Sequence, residues 1–149
     1  SFGTEFGSTV ILTSDGSRMA VGAPNHDYDS ADGSGTLNEG GGAVFLYDLD
    51  GADWSLHSFF FGEQGEHIGS RLALSKDGST LAIRRNSTGE AYLEVFDVTG
   101  GTASQVGSSL VCDKRNAELG HGESVALSAD GSRVAMSCEA YFNNRGKVQ

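Results

Sequence analysis

The chain has 149 residues, 22 of them glycine and one, Pro24, proline, so no stretch supplies the roughly 20 consecutive apolar residues of a membrane-crossing helix. Acidic side chains outnumber basic ones 20 to 10, a formal net charge of −10, which repels a phosphate backbone and argues against nucleic acid as a partner. These numbers leave a soluble, glycine-punctuated chain of short elements, with no membrane insertion.

In chain order, three segments superpose without a gap: GSTVILTSDGSRMAV at 7–21, GSRLALSKDGSTLAI at 69–83 and GESVALSADGSRVAM at 122–136. Each reads as a β-hairpin, because two alternating apolar runs flank an Asp-Gly pair and glycine supplies the positive φ of a tight turn. Val10 and Leu12, Leu72 and Leu74, and Val125 and Leu127 recur at period two, as do Met19 and Val21, Leu81 and Ile83, and Val134 and Met136. The opposite face carries Ala20, Ala82 and Ala135, small enough for a second layer to pack closely there.

After the first hairpin comes NHDYDSADGSGTLNEGG at 25–41, read as a surface loop. Third strands follow in GAVFLYDLDG at 42–51 and AYLEVFDVTG at 91–100, and fourth strands in WSLHSFFF at 54–61 and, more weakly, SQVGSSLVC at 104–112. Four short strands per unit predict an all-β fold of tandem antiparallel propeller-type blades, with about ten to twelve strands. The units are a blade-like repeat at 1–62 with the inserted loop, a second at 63–112 and a partial third at 113–149, where RGKVQ aligns with the opening of GAVFLYD. A propeller closes with about four blades at least. The third unit is therefore expected to leave Val125, Leu127, Val134 and Met136 without cover, and to need further repeats of a longer chain or self-association. Residues around Phe2 and Phe6 are the expected partners of that open blade.

The first repeat resembles the FG-GAP repeat of integrin-α-type propellers, with Phe6-Gly7-Ser8 opening it and Val21-Gly22-Ala23-Pro24 closing it. The LSxDGSxLAxx core is also similar to WD40-related and TolB-type propeller repeats. The resemblance implies a propeller architecture and leaves function open, because propellers host both enzymes and binding platforms. Calcium-binding FG-GAP repeats carry a DxDxDG-type loop, which the short turns at Asp15, Asp77 and Asp130 do not reproduce.

Asp27, Asp29 and Asp32 before Gly33 form an oxygen-rich run that calcium could use, against the simpler reading of an acidic surface loop. Asn86-Ser87-Thr88 is an N-glycosylation sequon, expected where a strand leaves the sheet. Cys112 and Cys138 are expected to meet across neighbouring blade edges as a disulfide, the alternative being two buried thiols. No HExxH, CxxC, P-loop or GxSxG occurs. The resulting expectation is a non-enzymatic structural or adhesive β-repeat module, extracellular or at the cell surface. The alternatives are a carbohydrate- or calcium-binding propeller and a fragment of a propeller enzyme.

Overall fold

The structure, a computed structural model, describes residues 3–29, 37–87, 90–112, 124–138 and 147–148. All regular structure among them is β: fourteen strands, more than expected because several are only two residues long. Blade 1 is a sheet of order β1-β2-β5-β6, formed by β1 (Thr9–Leu12), β2 (Arg18–Ala23), β5 (Ala43–Asp50) and β6 (Asp53–Phe61), every pair antiparallel. The inserted segment is more than a loop, since β3 (Tyr28–Asp29) and β4 (Leu37–Asn38) pair within it.

Blade 2 has β7 (Leu72–Leu74), β8 (Thr80–Ser87) and β9 (Glu90–Asp97). Its fourth position is an interrupted strand, with β10 (Ser104–Gln105) and β11 (Leu110–Cys112) both pairing with β9. In blade 3, β12 (Val125–Leu127), β13 (Val134–Cys138) and β14 (Lys147–Val148) make a sheet. There Ser137 pairs with Val148, as Gly22 pairs with Val44 in blade 1, in the register that the RGKVQ alignment predicts.

The hairpin turns are tied by their aspartates. Asp15 Oδ1 accepts hydrogen bonds from the Thr13 hydroxyl (2.8 Å), the Ser17 N–H (3.0 Å) and the Ser17 hydroxyl (2.7 Å). Ser75, Asp77 and Ser79 repeat this arrangement, as do Ser128, Asp130 and Ser132. Such side-chain bonds to a nearby backbone N–H are what make Asp a turn residue. The turns also stack on one another: the Ser14 N–H donates to the Lys76 carbonyl and the Lys76 N–H to that of Ala129, both at 3.0 Å.

Packing follows the two faces of each hairpin. Leu72, Leu81 and Ile83 of blade 2 are buried against Ala20, Val44 and Leu46 of blade 1. The opposite face of blade 2, with Ala73, Ala82 and Leu93, packs on Met136, Val125, Leu127 and Val134 of blade 3. The bulky face of a blade thus looks toward the preceding blade and the alanine face toward the next. The expectation that blade 3 leaves its apolar residues uncovered is overturned, because blade 2 covers them. The face lacking cover is on blade 1, where Val10 is 52% and Leu12 54% exposed.

The connection from β6 to β7 recrosses the end of blade 1. Gly62 N–H donates to the Gly42 carbonyl, Ile68 N–H to that of Gly41 and His67 N–H to that of Gly40. A Cβ on Gly22 would overlap the Gly69 carbonyl oxygen and lie 2.8 Å from the attached carbon. This approach accounts for the glycine triplet at 40–42 and for Gly22 within a strand.

Candidate functional site

A cluster of polar side chains lies at the seam of blades 1 and 2, beside the stacked turns. A cavity of about 380 Å³ opens there, lined by Arg18, Asp48, Asp77, Ser79 and Thr99 among others. Arg18 begins β2, and its guanidinium grips Asp48 of β5 through Nε to Oδ1 (2.6 Å) and Nη2 to Oδ2 (3.0 Å). Arg18 Nη1 also donates to the carbonyls of Gly78 (2.9 Å) and Val98 (2.8 Å) in blade 2. Two parallel charge-assisted bonds fix both direction and distance.

His57 completes the cluster. The β5–β6 register shifts between Leu46 and Tyr47, so that Leu46 faces Ser58 and Tyr47 faces Leu56, leaving His57 as the bulged residue. A bulge re-aims a side chain. Here it brings Nδ1 within 2.7 Å of Asp48 Oδ2 and Nε2 within 3.0 Å of the Gly100 carbonyl of blade 2. A second, mainly apolar cavity of about 550 Å³ lies alongside, with Leu56, Phe60, Phe96 and Ala103 in its wall.

The carboxylates are held ionised. The hydrogen bond from Arg18 pulls the Asp48 carboxyl below its ordinary range. The Ser75 hydroxyl, with the N–H and hydroxyl of Ser79, does the same to Asp77. At the rim, the Ser17 hydroxyl donates to Asp15 and the Ser79 hydroxyl to Asp77. Chemically, the cluster is a clasp: it joins two blades through a charged pair whose remaining hydrogens go to backbone carbonyls.

The sequence-predicted sites lie elsewhere. Asp27 Oδ1 accepts a hydrogen bond from the Gly40 N–H at 2.8 Å, closing the base of the insertion. Asp29 belongs to β3, but its side chain and the whole of Asp32 lie outside the described residues. The structure therefore does not bring these three carboxylates together as a described set. Asn86 is inside β8, opposite Ala91, and half-buried rather than leaving the sheet; its Oδ1 accepts from Arg84 Nη2 at 2.8 Å. Thr88 of the sequon lies outside the described residues. Cys112 ends β11 and Cys138 ends β13, and both side chains lie outside the described residues, so the bridge stays an expectation. Phe2 is also outside them.

Sequence reasoning missed the Arg18–Asp48–His57 cluster because its members are 30 and 39 positions apart from Arg18 and meet only through sheet pairing and the bulge. It also missed Arg84, 4% exposed at the repeat position of Gly22. Burial, with the nearby Arg71 charge, pulls the Arg84 guanidinium below its usual value.

No protein-family model matches the chain, and no curated protein does. Over most of its length the chain is similar to three solved structures. The Cps50 (Swd1) β-propeller domain of Myceliophteria thermophila has 16% identity and a TM-score of 0.49, covering 94% of this chain and 36% of that one. A protein from Lactobacillus plantarum has 18% identity and a TM-score of 0.48, covering 95% and 39%. TolB from Acinetobacter baumannii has 13% identity and a TM-score of 0.46, covering 93% and 31%. The chain thus spans between three and four tenths of the length of each.

Proposed function

We propose that this chain is a non-enzymatic structural module, a stack of propeller-type blades that serves as a scaffold in an extracellular or cell-surface assembly. The observation that carries the reading is the use of the polar seam. Arg18, Asp48 and His57 direct their hydrogen bonds to one another and to the Gly78, Val98 and Gly100 carbonyls, so the polar groups of the seam are spent on joining one blade to the next. The FG-GAP-like elements of repeat 1 act similarly: Gly7 N–H donates to the Gly22 carbonyl at 3.0 Å, so the Phe-Gly and Gly-Ala-Pro segments close one strand pair. The extracellular part of the reading rests on the lysine-poor composition, the sequon at Asn86 and the two cysteines.

A carbohydrate-binding reading has one observation in its favour. Tyr28, from the insertion, stacks on Phe61 with ring centroids 4.5 Å apart, and Phe59 lies 5.1 Å from the same ring, an aromatic surface on which sugar C–H groups pack. Calorimetric titration of the folded chain with calcium and with a panel of neutral and acidic oligosaccharides separates the two readings. No saturable heat supports the scaffold; saturable binding abolished by Phe59→Ala overturns it. On protein from its natural source, intact mass before and after peptide-N-glycosidase and reductant tests the extracellular part, and an unmodified, fully reduced chain counts against it.

A further inference from the structure

Beside the charged clasp, the apolar cleft between blades 1 and 2 has a function of its own to suggest. It exists because the two blades turn differently at that end. In blade 1, Asp50 pairs with Asp53 across Gly51 and Ala52, a tight turn. In blade 2, Asp97 pairs with Ser104, so that residues 98–103, with Gly100 and Gly101 among them, replace that turn before the fourth strand begins. Opposite this longer connection, the bulge at His57 breaks the alternation of β6 and bends the strand. The cavity of about 550 Å³ between them lies within the range of about 300–1,000 Å³ typical of small-molecule sites.

Its walls are apolar and aromatic. Ser58 stands opposite Leu46 and Phe60 opposite Val44, which places both on the side of β6 that faces blade 2, because Leu46 and Val44 are buried against that blade. Phe96 of β9 meets Phe60 from blade 2, with ring centroids 4.9 Å apart and the planes tilted by 53°, and Leu56, Thr102 and Ala103 complete the wall. One polar atom is left over. Ser58 Oγ is buried and has no hydrogen-bond partner among the described residues, a state that protein interiors seldom leave uncorrected. Among the described residues no lysine, arginine or carboxylate lines the cleft, and His57 Nε2 already faces the Gly100 carbonyl, so nothing there offsets a charged ligand. We propose that the cleft binds a neutral aromatic molecule of about two fused rings, packed on Phe60 and Phe96, with its one hydrogen-bonding group on Ser58 Oγ. An apolar cavity of about 150 Å³ already takes benzene, so a bicyclic molecule has room. Bound there, it touches both blades and stabilises their seam by mass action.

Heteronuclear NMR titration of the whole chain with indole, whose N–H donates, and with 1-methylindole, which has no N–H, tests this. The expected result is saturable indole binding with a Kd below about 1 mM and the largest amide shifts at Ser58, Phe60, Thr102 and Ala103. Binding of 1-methylindole should be about three- to tenfold weaker, the contribution of one hydrogen bond. Ser58→Ala should bring indole down to the affinity of 1-methylindole and leave the latter within about twofold of its wild-type value. Ala103→Phe fills the cleft and abolishes both. If circular dichroism shows that this variant does not fold, Leu56→Trp, at an exposed position, narrows the mouth instead and should weaken both. No saturable shift by about 5 mM indole, shifts centred elsewhere, or a Ser58→Ala chain that binds indole like the wild type each overturns the proposal. Cyclohexanol bound as tightly as indole overturns its aromatic part. None of these results touches the scaffold reading, which calcium and sugar titrations test separately.

Discussion

Replacing Gly22 by alanine tests the close crossing of the β6–β7 connection over blade 1. Strand chemistry alone favours alanine, because removing a glycine restricts the unfolded chain and yields about 0.4–1 kcal/mol where the native backbone tolerates it. The structure reverses the sign. The added Cβ overlaps the Gly69 carbonyl oxygen and sits 2.8 Å from its carbon and 3.0 Å from its Cα, all backbone atoms that no rotamer change can move. Gly69 cannot easily yield, since its φ is +93° and a Cβ on it would in turn lie 2.8 Å from the Ala23 nitrogen. The preceding residues are pinned by the bonds from His67 and Ile68 to Gly40 and Gly41. Overpacking of this kind costs about 1–3 kcal/mol, so a net loss of about 1–2 kcal/mol is expected. At roughly 2–4 °C per kcal/mol for a domain near this size, Tm falls by about 2–8 °C. Urea unfolding of Gly22→Ala beside Gly101→Ala, where nothing lies within 4 Å of the new Cβ, measures the difference. A Gly22→Ala chain as stable as the wild type would refute the crossing.

Met136→Ala empties a fully buried site between blades 2 and 3 and is expected to cost about 2–5 kcal/mol, while Val10→Ser on the open face of blade 1 stays within about 0.5 kcal/mol; both are read by the same unfolding curves. Arg18→Met removes the charged grip on Asp48 and the bonds to two blade 2 carbonyls, for a loss of about 1.5–3 kcal/mol, and heteronuclear NMR should show the Gly78 and Gly100 amides among those most shifted. Acid should weaken the turns in a defined window. Backbone and side-chain bonds from Ser17 lower Asp15 from 3.8 to about 2, and the Ser128 hydroxyl with Ser132 does the same for Asp130. Depressed folded-state values mean that this stability is fully present above about pH 4 and is lost as the pH falls toward 2. A thermal midpoint flat from pH 5 to pH 2 would contradict it.

Much of the blade architecture was legible in the residues because its causes are local. Alternation at Leu72, Leu74, Leu81 and Ile83 fixes the strand faces, and the serine or threonine two residues either side of Asp15, Asp77 and Asp130 fixes the turns. The direction in which a stack runs is not a local property. That the bulky face looks backward depends on how whole sheets pack, which is why Val125 and Met136 looked uncovered and Val10 did not. The seam cluster was hidden for a related reason: His57 reaches Asp48 only through a bulge, whose sole trace in WSLHSFFF is a break in alternation between Leu56 and Phe60. Comparison of the repeats offered one clue, since Arg18, Thr80 and Arg133 share a position that nothing about the turn requires to be basic.

The column of stacked turns has an evolutionary corollary. Each rung joins a main-chain amide to a main-chain carbonyl, at Ser14, Lys76 and Ala129, three side chains with nothing in common. A link that ignores side-chain identity survives point substitution by anything except proline, which lacks the amide. It also transfers intact when a gene segment is duplicated. An array held this way can lengthen one unit at a time, each newcomer registering against its neighbour at once, while loops such as 25–41 diversify without disturbing the spine.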